Sequence, residues 1–244
     1  QVTIGVERDR HRVIGTGGWT KYSIWEHSAH IRELYARRCR LEEPEMTSHA
    51  QAAELLAPRV RPGDSLLDAG CGSGYFFHSL RKREIPVEYQ GIDASGSLIG
   101  IGRRELPRYG LAPERLRALR IEDLDAEIDH VVCVNVLSNI DNYHRPLERL
   151  LLSATKTVIL RESLDDVARY LYVTDRYLDQ GIDLKVHVNT YRLDEVIGFI
   201  RSYDFRVERI VDRHTQGRPE DVIGHPHHWT FLVADRVTSV GVRQ

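Results

Sequence analysis

Lysine is scarce in this chain. It occurs only at positions 21, 82, 156 and 185, so nearly all positive charge is arginine. Lys+Arg at 34 against Asp+Glu at 36 leaves a formal net charge of -2. The basic excess that marks most nucleic-acid binders is missing, so nucleic acid is not an expected partner. Two local basic groups, Arg37, Arg38 and Arg40, then Arg81, Lys82 and Arg83, read as solvated helix faces. Cysteine is scarce too. Cys39, Cys71 and Cys133 form no CxxC pair and no zinc-type spacing. An odd, sparse set points to a reducing compartment, and Cys133 sits in an apolar run as a small buried hydrophobe would. Apolar runs of about 20 residues, the length of a membrane helix, are absent, as is a signal-peptide pattern. The expected setting is therefore cytoplasmic, with no membrane partner.

What remains is ordinary globular composition: 244 residues, 41% hydrophobic and 29% charged. That is enough for one sizeable domain with a substantial cap. Helical spacing begins at Ser23, with Ile24, His27, Ile31, Leu34 and Tyr35 on one face. A second helix is expected from Thr47 or Ser48, either of which can cap it, to Leu56 before Pro58. Short apolar runs then alternate with helical stretches. Strands are expected at Ser65–Asp68, Val87–Ile92, Leu116–Ile121, His130–Val136 and Thr157–Leu160. Helices are expected at Tyr75–Arg83, Ser97–Tyr109 and Tyr143–Ser153. This rhythm implies βαβ units, a mainly parallel sheet and an α/β fold class. The fourth run is apolar throughout, as a strand buried on both faces would be.

After Arg161 the rhythm changes. Residues 163–190 read as an inserted cap, helical at first and extended later. A helix over Leu193–Ser202 and strands at Phe205–Val211 and Thr230–Val233 complete the pattern. The intervening His214–His228 is rich in Gly, Pro and His and reads as a long loop of functional character.

The chemistry centres on Leu66-Leu67-Asp68-Ala69-Gly70-Cys71-Gly72-Ser73-Gly74, a strand running into a glycine loop before a helix. Glycines permit the tight turn and let a ligand approach the backbone. The helix start offers free N–H groups. No GK[ST] follows, which excludes a P-loop. A second strand ends in Gly91-Ile92-Asp93-Ala94-Ser95, where an acid can accept from ribose hydroxyls. A dinucleotide enzyme uses the same device, so Asp93 by itself leaves that class open.

These segments resemble motif I and the following checkpoints of the class I, Rossmann-like, S-adenosylmethionine-dependent methyltransferases. The likeness is firm over about residues 62–162 and looser beyond. It implies a seven-stranded, mostly parallel sheet with flanking helices, an N-terminal helical lid and an inserted cap after the fifth strand. Residues 1–60 would be the lid region, 61–162 the donor-binding core, 163–190 the capping insertion and 191–244 the rest of the α/β domain. It implies S-adenosyl-L-methionine as cofactor and S-adenosyl-L-homocysteine as product. By the same resemblance, Asp68 lies near the amino-acid portion, while Gly70, Cys71, Gly72 and Gly74 wrap the methionine and ribose parts. Asp93, with Ala94 beside it, holds the ribose hydroxyls. Asp123 takes the adenine amino group, with Glu122 in reserve, and Asn135 and Val136 line the methionine part and the path to the acceptor.

Methyl transfer from a sulfonium is a direct displacement, so positioning supplies much of the catalysis. A hydroxyl acceptor needs a base, and an amine must be neutral. His144, just after the fourth strand, His187, alternating with Val186 and Val188, and His228, before the last strand, are the preferred bases, ahead of His225 and His227. Each has an ordinary reading as a partly exposed residue. The His225-Pro226-His227-His228 run lacks the converging ligands of a metal site, so no metal is expected. Trp19, Tyr22 and Tyr172 are the expected acceptor contacts, against an ordinary role in packing. The expected function is methyl transfer to an oxygen or nitrogen of a small molecule. RNA or protein methylation, a non-catalytic binding protein of the same fold and an NAD-dependent oxidoreductase are the alternatives. An apolar cap face would suit a homodimer surface or a lid interior equally.

Overall fold

The computed structural model describes residues 20–237. Trp19 lies outside them. Helices α1 (Ala29–Cys39) and α2 (Thr47–Leu56) precede the first strand, β1 (Ser65–Ala69). Then follow α3 (Phe76–Lys82), β2 (Glu88–Asp93), α4 (Gly96–Glu105), β3 (Leu116–Ala118), β4 (Ile128–Val134), α5 (His144–Ser153) and β5 (Ala154–Asp165). The second half holds β6 (Tyr172–Thr174), β7 (Lys185–His187), β8 (Tyr191–Arg192), α6 (Leu193–Arg201), β9 (Phe205–Val211), β10 (Glu220–Val222), β11 (His225–His227) and β12 (Trp229–Arg236).

The main sheet runs β3-β2-β1-β4-β5-β12-β9, parallel from β3 to β5 and antiparallel where β12 inserts between β5 and β9. The expected mostly parallel sheet with flanking helices is present. Among the described residues it has eight strands rather than seven, because β8 pairs in parallel with the far end of β5. That pairing explains why β5 runs well past Leu160: β4 and β12 flank its length and β8 takes up its tip. Strand β4 is buried along nearly its whole length, as its apolar run requires. One apolar cluster fills the face under α5 and α6, and another fills the opposite face under α1 to α4.

Helix starts follow local chemistry. Ser28 caps α1 by accepting from the Ile31 N–H, and Ser95 caps α4 by accepting from Leu98. The start of α2 departs from expectation. Met46 occupies the cap position, no side chain caps the helix, and Ser48 is buried inside it.

Three further expectations are corrected. The third strand stops at Ala118, and Ile121–Asp123 forms a 3-10 turn. The inserted cap contains no helix: β6 and β7 form an antiparallel hairpin. Its alternating apolar residues, Val173 on one strand and Leu184, Val186 and Val188 along the other, meet Ile24 and Trp25 in a third small cluster, and that period of two selects extended chain. The His214–His228 segment is not a plain loop, since β10 and β11 pair within it and present Ile223 to the same cluster. All three cysteines are buried and free. Among the described residues, no helix is long and apolar enough to cross a membrane.

Candidate active site

The glycine loop leaves β1 with Gly70 and Gly72 in the left-handed region, at φ +74° and +58°. The N–H groups of Gly70 and Cys71 both donate to the Ile92 carbonyl, at 2.8 and 2.9 Å, fastening the loop to β2. A side chain at Gly70 would overlap Val136, and one at Gly72 would overlap the Tyr35 ring. The loop is thus pressed from two sides, by the turn after β4 and by α1. Gly74 has a different task. It packs against Leu106 and Leu116 and does not line the cavity.

A cavity of about 740 Å³ opens above the loop, at the carboxyl ends of the parallel strands. Asp68, Gly70, Cys71, Gly72, Asp93, Ala94, Glu122, Asn135 and Val136 all line it. Asp68 accepts the Tyr89 hydroxyl at 2.8 Å, and burial pushes its carboxyl up to about 7. Asp93 accepts the N–H of Gly72 on one oxygen and that of Ser95 on the other, both at 2.8 Å. Burial lifts Asp93 to about 6 against the pull of those two bonds. Each carboxylate oxygen keeps acceptor capacity for a ligand hydroxyl. Glu122 stands in the cavity wall, where Arg120 pairs with it at 3.1 Å. Asp123, the preferred adenine contact, is exposed outside the cavity, because the 3-10 turn directs successive side chains apart.

The turn after β4 is held by residues whose roles were not legible in the sequence. Glu162, buried on β5, accepts the N–H groups of Val136, Leu137 and Ser138 at 3.0, 2.9 and 2.8 Å, and also the Ser138 hydroxyl. Burial raises its carboxyl above the usual range despite these four bonds. Beside it, Arg161 donates from Nε to Asp212 at 2.7 Å and from one terminal nitrogen to Asn135 Oδ1 at 2.5 Å. Its guanidinium lies 4.5 Å from the centre of the Trp229 ring. Trp229 lines the cavity next to Asn135.

Residues between Tyr22 and Ser28 and the segment that holds Tyr172 and His187 both line the cavity and are bonded to each other. Asp179 donates its N–H to the His27 carbonyl at 2.8 Å and accepts the Ala29 N–H at 2.7 Å. The Ser28 hydroxyl donates to the Tyr177 carbonyl. Glu26 closes the other side, accepting the Ser95 hydroxyl at 2.6 Å and the Ser97 hydroxyl beside Asp93. Tyr22 and Tyr172 line the cavity as expected, although both rings are more than half exposed.

Of the expected bases, only His187 lines the cavity, with its ring 4.5 Å from that of Tyr172. His144 lies elsewhere. Its Nδ1 donates to Asn142 at 2.7 Å and its ring stacks on Tyr143, which makes it a helix-start residue. His228 also lies outside the cavity, with Nε2 at 3.5 Å from Asp165. The histidine the sequence did not single out is His49 on α2. It lines the cavity, its ring stacks on Tyr75 at 4.8 Å, and its nitrogens have no hydrogen-bond partner among the described residues. Burial, reinforced by Arg38, lowers it to about 3, so the ring is neutral. Arg38 donates to the Tyr75 hydroxyl at 2.9 Å and has no carboxylate partner among the described residues. Arg38, Met46, His49 and Tyr75 also line a second cavity of about 500 Å³. The signal that finds these residues is three-dimensional, since α2 is far in sequence from the strands it covers.

Residues 67–157 match the family described as "Methyltransferase domain". Among solved structures, the chain is similar to an S-adenosylmethionine-dependent methyltransferase from Clostridium acetobutylicum, with TM-score 0.59, 13% identity and coverage of 84% of this chain and 97% of that one. It is also similar to magnesium protoporphyrin IX methyltransferase from Synechocystis with bound S-adenosylmethionine (TM-score 0.53, 17% identity, 90% and 89% coverage). A third likeness is to an amino pentose methyltransferase from Micromonospora echinaspora (TM-score 0.56, 15% identity, 84% and 96% coverage). A curated relative, an uncharacterised protein of Synechococcus, is 29% identical over 104 residues, which span 41% of this chain and 24% of the relative.

Proposed function

We propose that this chain, which has the class I S-adenosylmethionine-dependent methyltransferase fold, transfers a methyl group from that donor to a small-molecule acceptor. One observation carries the reading: a single cavity gathers the glycine loop, Asp93, Glu122 and Asn135 at the ends of consecutive parallel strands. The residues fit the donor piece by piece. Ile121 and Glu122, which line the cavity, would face the adenine, Asp93 would accept from the ribose hydroxyls, and Gly70 and Cys71 would lie along the methionine part. Arg38, free of any carboxylate among the described residues, answers the donor's carboxylate. When bound, the donor supplies a methyl group activated by the sulfonium, and S-adenosylhomocysteine is left behind.

The chain's own contribution is to position and to exclude water. Gly70 and Gly72 carry no side chain where the loop meets Val136 and Tyr35. The roof of N-terminal residues and cap hairpin covers the acceptor end, as a lid and a capping insertion would. A roofed cavity suits a small molecule better than a polymer. The acceptors named for two of the similar structures, a metalloporphyrin and an amino pentose, are of that class. Calorimetric titration with S-adenosylmethionine, with NAD in parallel, tests the reading. Micromolar donor binding without NAD binding is the expected result. Binding of NAD alone would replace the methyltransferase reading with a dehydrogenase one.

A further inference from the structure

We propose that the methyl-accepting atom is a hydroxyl oxygen, held between the Asn135 side-chain amide and the His49 ring. The inference rests on the methyltransferase reading above and deepens it.

The argument begins at Arg161. A guanidinium only donates, so the Asn135 atom facing it must be the amide oxygen. That contact leaves no freedom to flip the amide, because Arg161 is itself 3% exposed and fixed by Asp212 and by the Trp229 ring. The Asn135 Nδ2 is therefore the free end. It has no partner among the described residues, on a side chain that lines the cavity. Asn135 also has φ +61°, and the Glu162 clamp on the next three residues holds the turn in place. The cavity thus carries one fixed N–H donor near Val136, which rests on the glycine loop.

On another wall, His49 offers a neutral imidazole with both nitrogens unpartnered among the described residues. A donor and an acceptor lining one cavity match a hydroxyl. Its oxygen has two lone pairs: one attacks the methyl carbon while the other accepts from Asn135 Nδ2. An amine has a single lone pair, which must point at the methyl group, so an N–H aimed at that nitrogen would find nothing to accept it. In the step, the oxygen–carbon bond forms and the carbon–sulfur bond breaks, with its electron pair going to sulfur. The methylated oxygen becomes cationic and strongly acidic, and it then gives its proton to the neutral His49 ring, whose weak basicity is sufficient for that acid. His49 also lines the second cavity.

The test is a crystal structure of the S-adenosylhomocysteine complex, after calorimetry has established that the product binds. Failure to bind would overturn the methyltransferase reading itself. In the complex, an ordered water bridging Asn135 Nδ2 and a ring nitrogen of His49, in line with the sulfur, is the expected result. Asn135 Nδ2 spent on the product's carboxylate, or no oxygen between the two residues, would overturn the proposal. Turnover provides a second measure, using matched alcohol and amine isosteres of the same carbon skeleton. The alcohol should react at least about tenfold faster, since a site built for one hydrogen-bonding pattern rejects the other. An amine that reacts faster than its alcohol would overturn it.

Discussion

Glu162 and Ser138 are joined twice: one carboxylate oxygen accepts both the backbone N–H and the hydroxyl of Ser138, each at 2.8 Å. The other oxygen takes the N–H groups of Val136 and Leu137. One buried acid on β5 therefore organises the turn that carries Asn135. Glu162→Ala should leave three backbone N–H groups without that acceptor and cost about 3 kcal/mol or more, at about 1–3 kcal/mol per buried unpaired donor. Urea unfolding of the variant measures the loss. A midpoint unchanged from wild type would remove the structural role.

Asp93→Ala should weaken S-adenosylmethionine binding by roughly tenfold to a hundredfold, the loss of one charge-assisted hydrogen bond or more. Calorimetry reads this directly. Thermal unfolding of the unliganded variant separates lost affinity from lost fold. Unchanged donor affinity would take the ribose role from Asp93.

The same residue predicts a pH dependence. Burial holds Asp93 at about 6 and Asp68 at about 7, above the roughly 4 of an unfolded aspartate. The native chain binds these protons more tightly than the unfolded one. The stability they contribute is fully present below about pH 4 and is lost as pH rises through 6 to 7. Donor binding has the opposite sign, because ribose hydroxyls need the ionised form of Asp93. Affinity for S-adenosylmethionine should rise with pH through about 6, with roughly a tenfold deficit at about pH 5 relative to the plateau. Calorimetry across this range should give that curve, and a flat profile would mean Asp93 does not contact the donor.

Glu26 latches the roof to the start of α4 through Ser95 and Ser97. Glu26→Gln removes the charge that strengthens those bonds. Amide hydrogen exchange around residues 24–32 should quicken by about tenfold, the effect of about 1.4 kcal/mol on a local opening. Exchange in β4 and β5 should stay unchanged. Uniform acceleration throughout the sheet would point to global destabilisation instead.

The glycine-loop side of the cavity is legible in the sequence because it is local. The period of the apolar runs locates β1 to β5, and the resemblance to the methyltransferase family singles out the acids at the strand ends. Asp123 was preferred over Glu122 because spacing alone does not say which side of a 3-10 turn faces the cavity. His144 looked well placed by sequence distance, but Asn142 and Tyr143 engage its ring at the helix start. Glu162, Arg161 and His49 were not singled out, since their partners lie on other elements and only packing brings them together. In sequence, the first part of residues 163–190 reads as helical and the later part as extended. The pairing of Tyr172 with His187 decides it as a hairpin.

Asp179 bonds to His27 and Ala29, some 150 residues earlier in the chain, and the Tyr177 carbonyl accepts the hydroxyl of Ser28. Two stretches roughly 150 residues apart therefore form one cassette. Grafting the roof of a related enzyme onto this scaffold would require transplanting both stretches as a matched set. A swap of either alone would pair one protein's tenon with another's mortise.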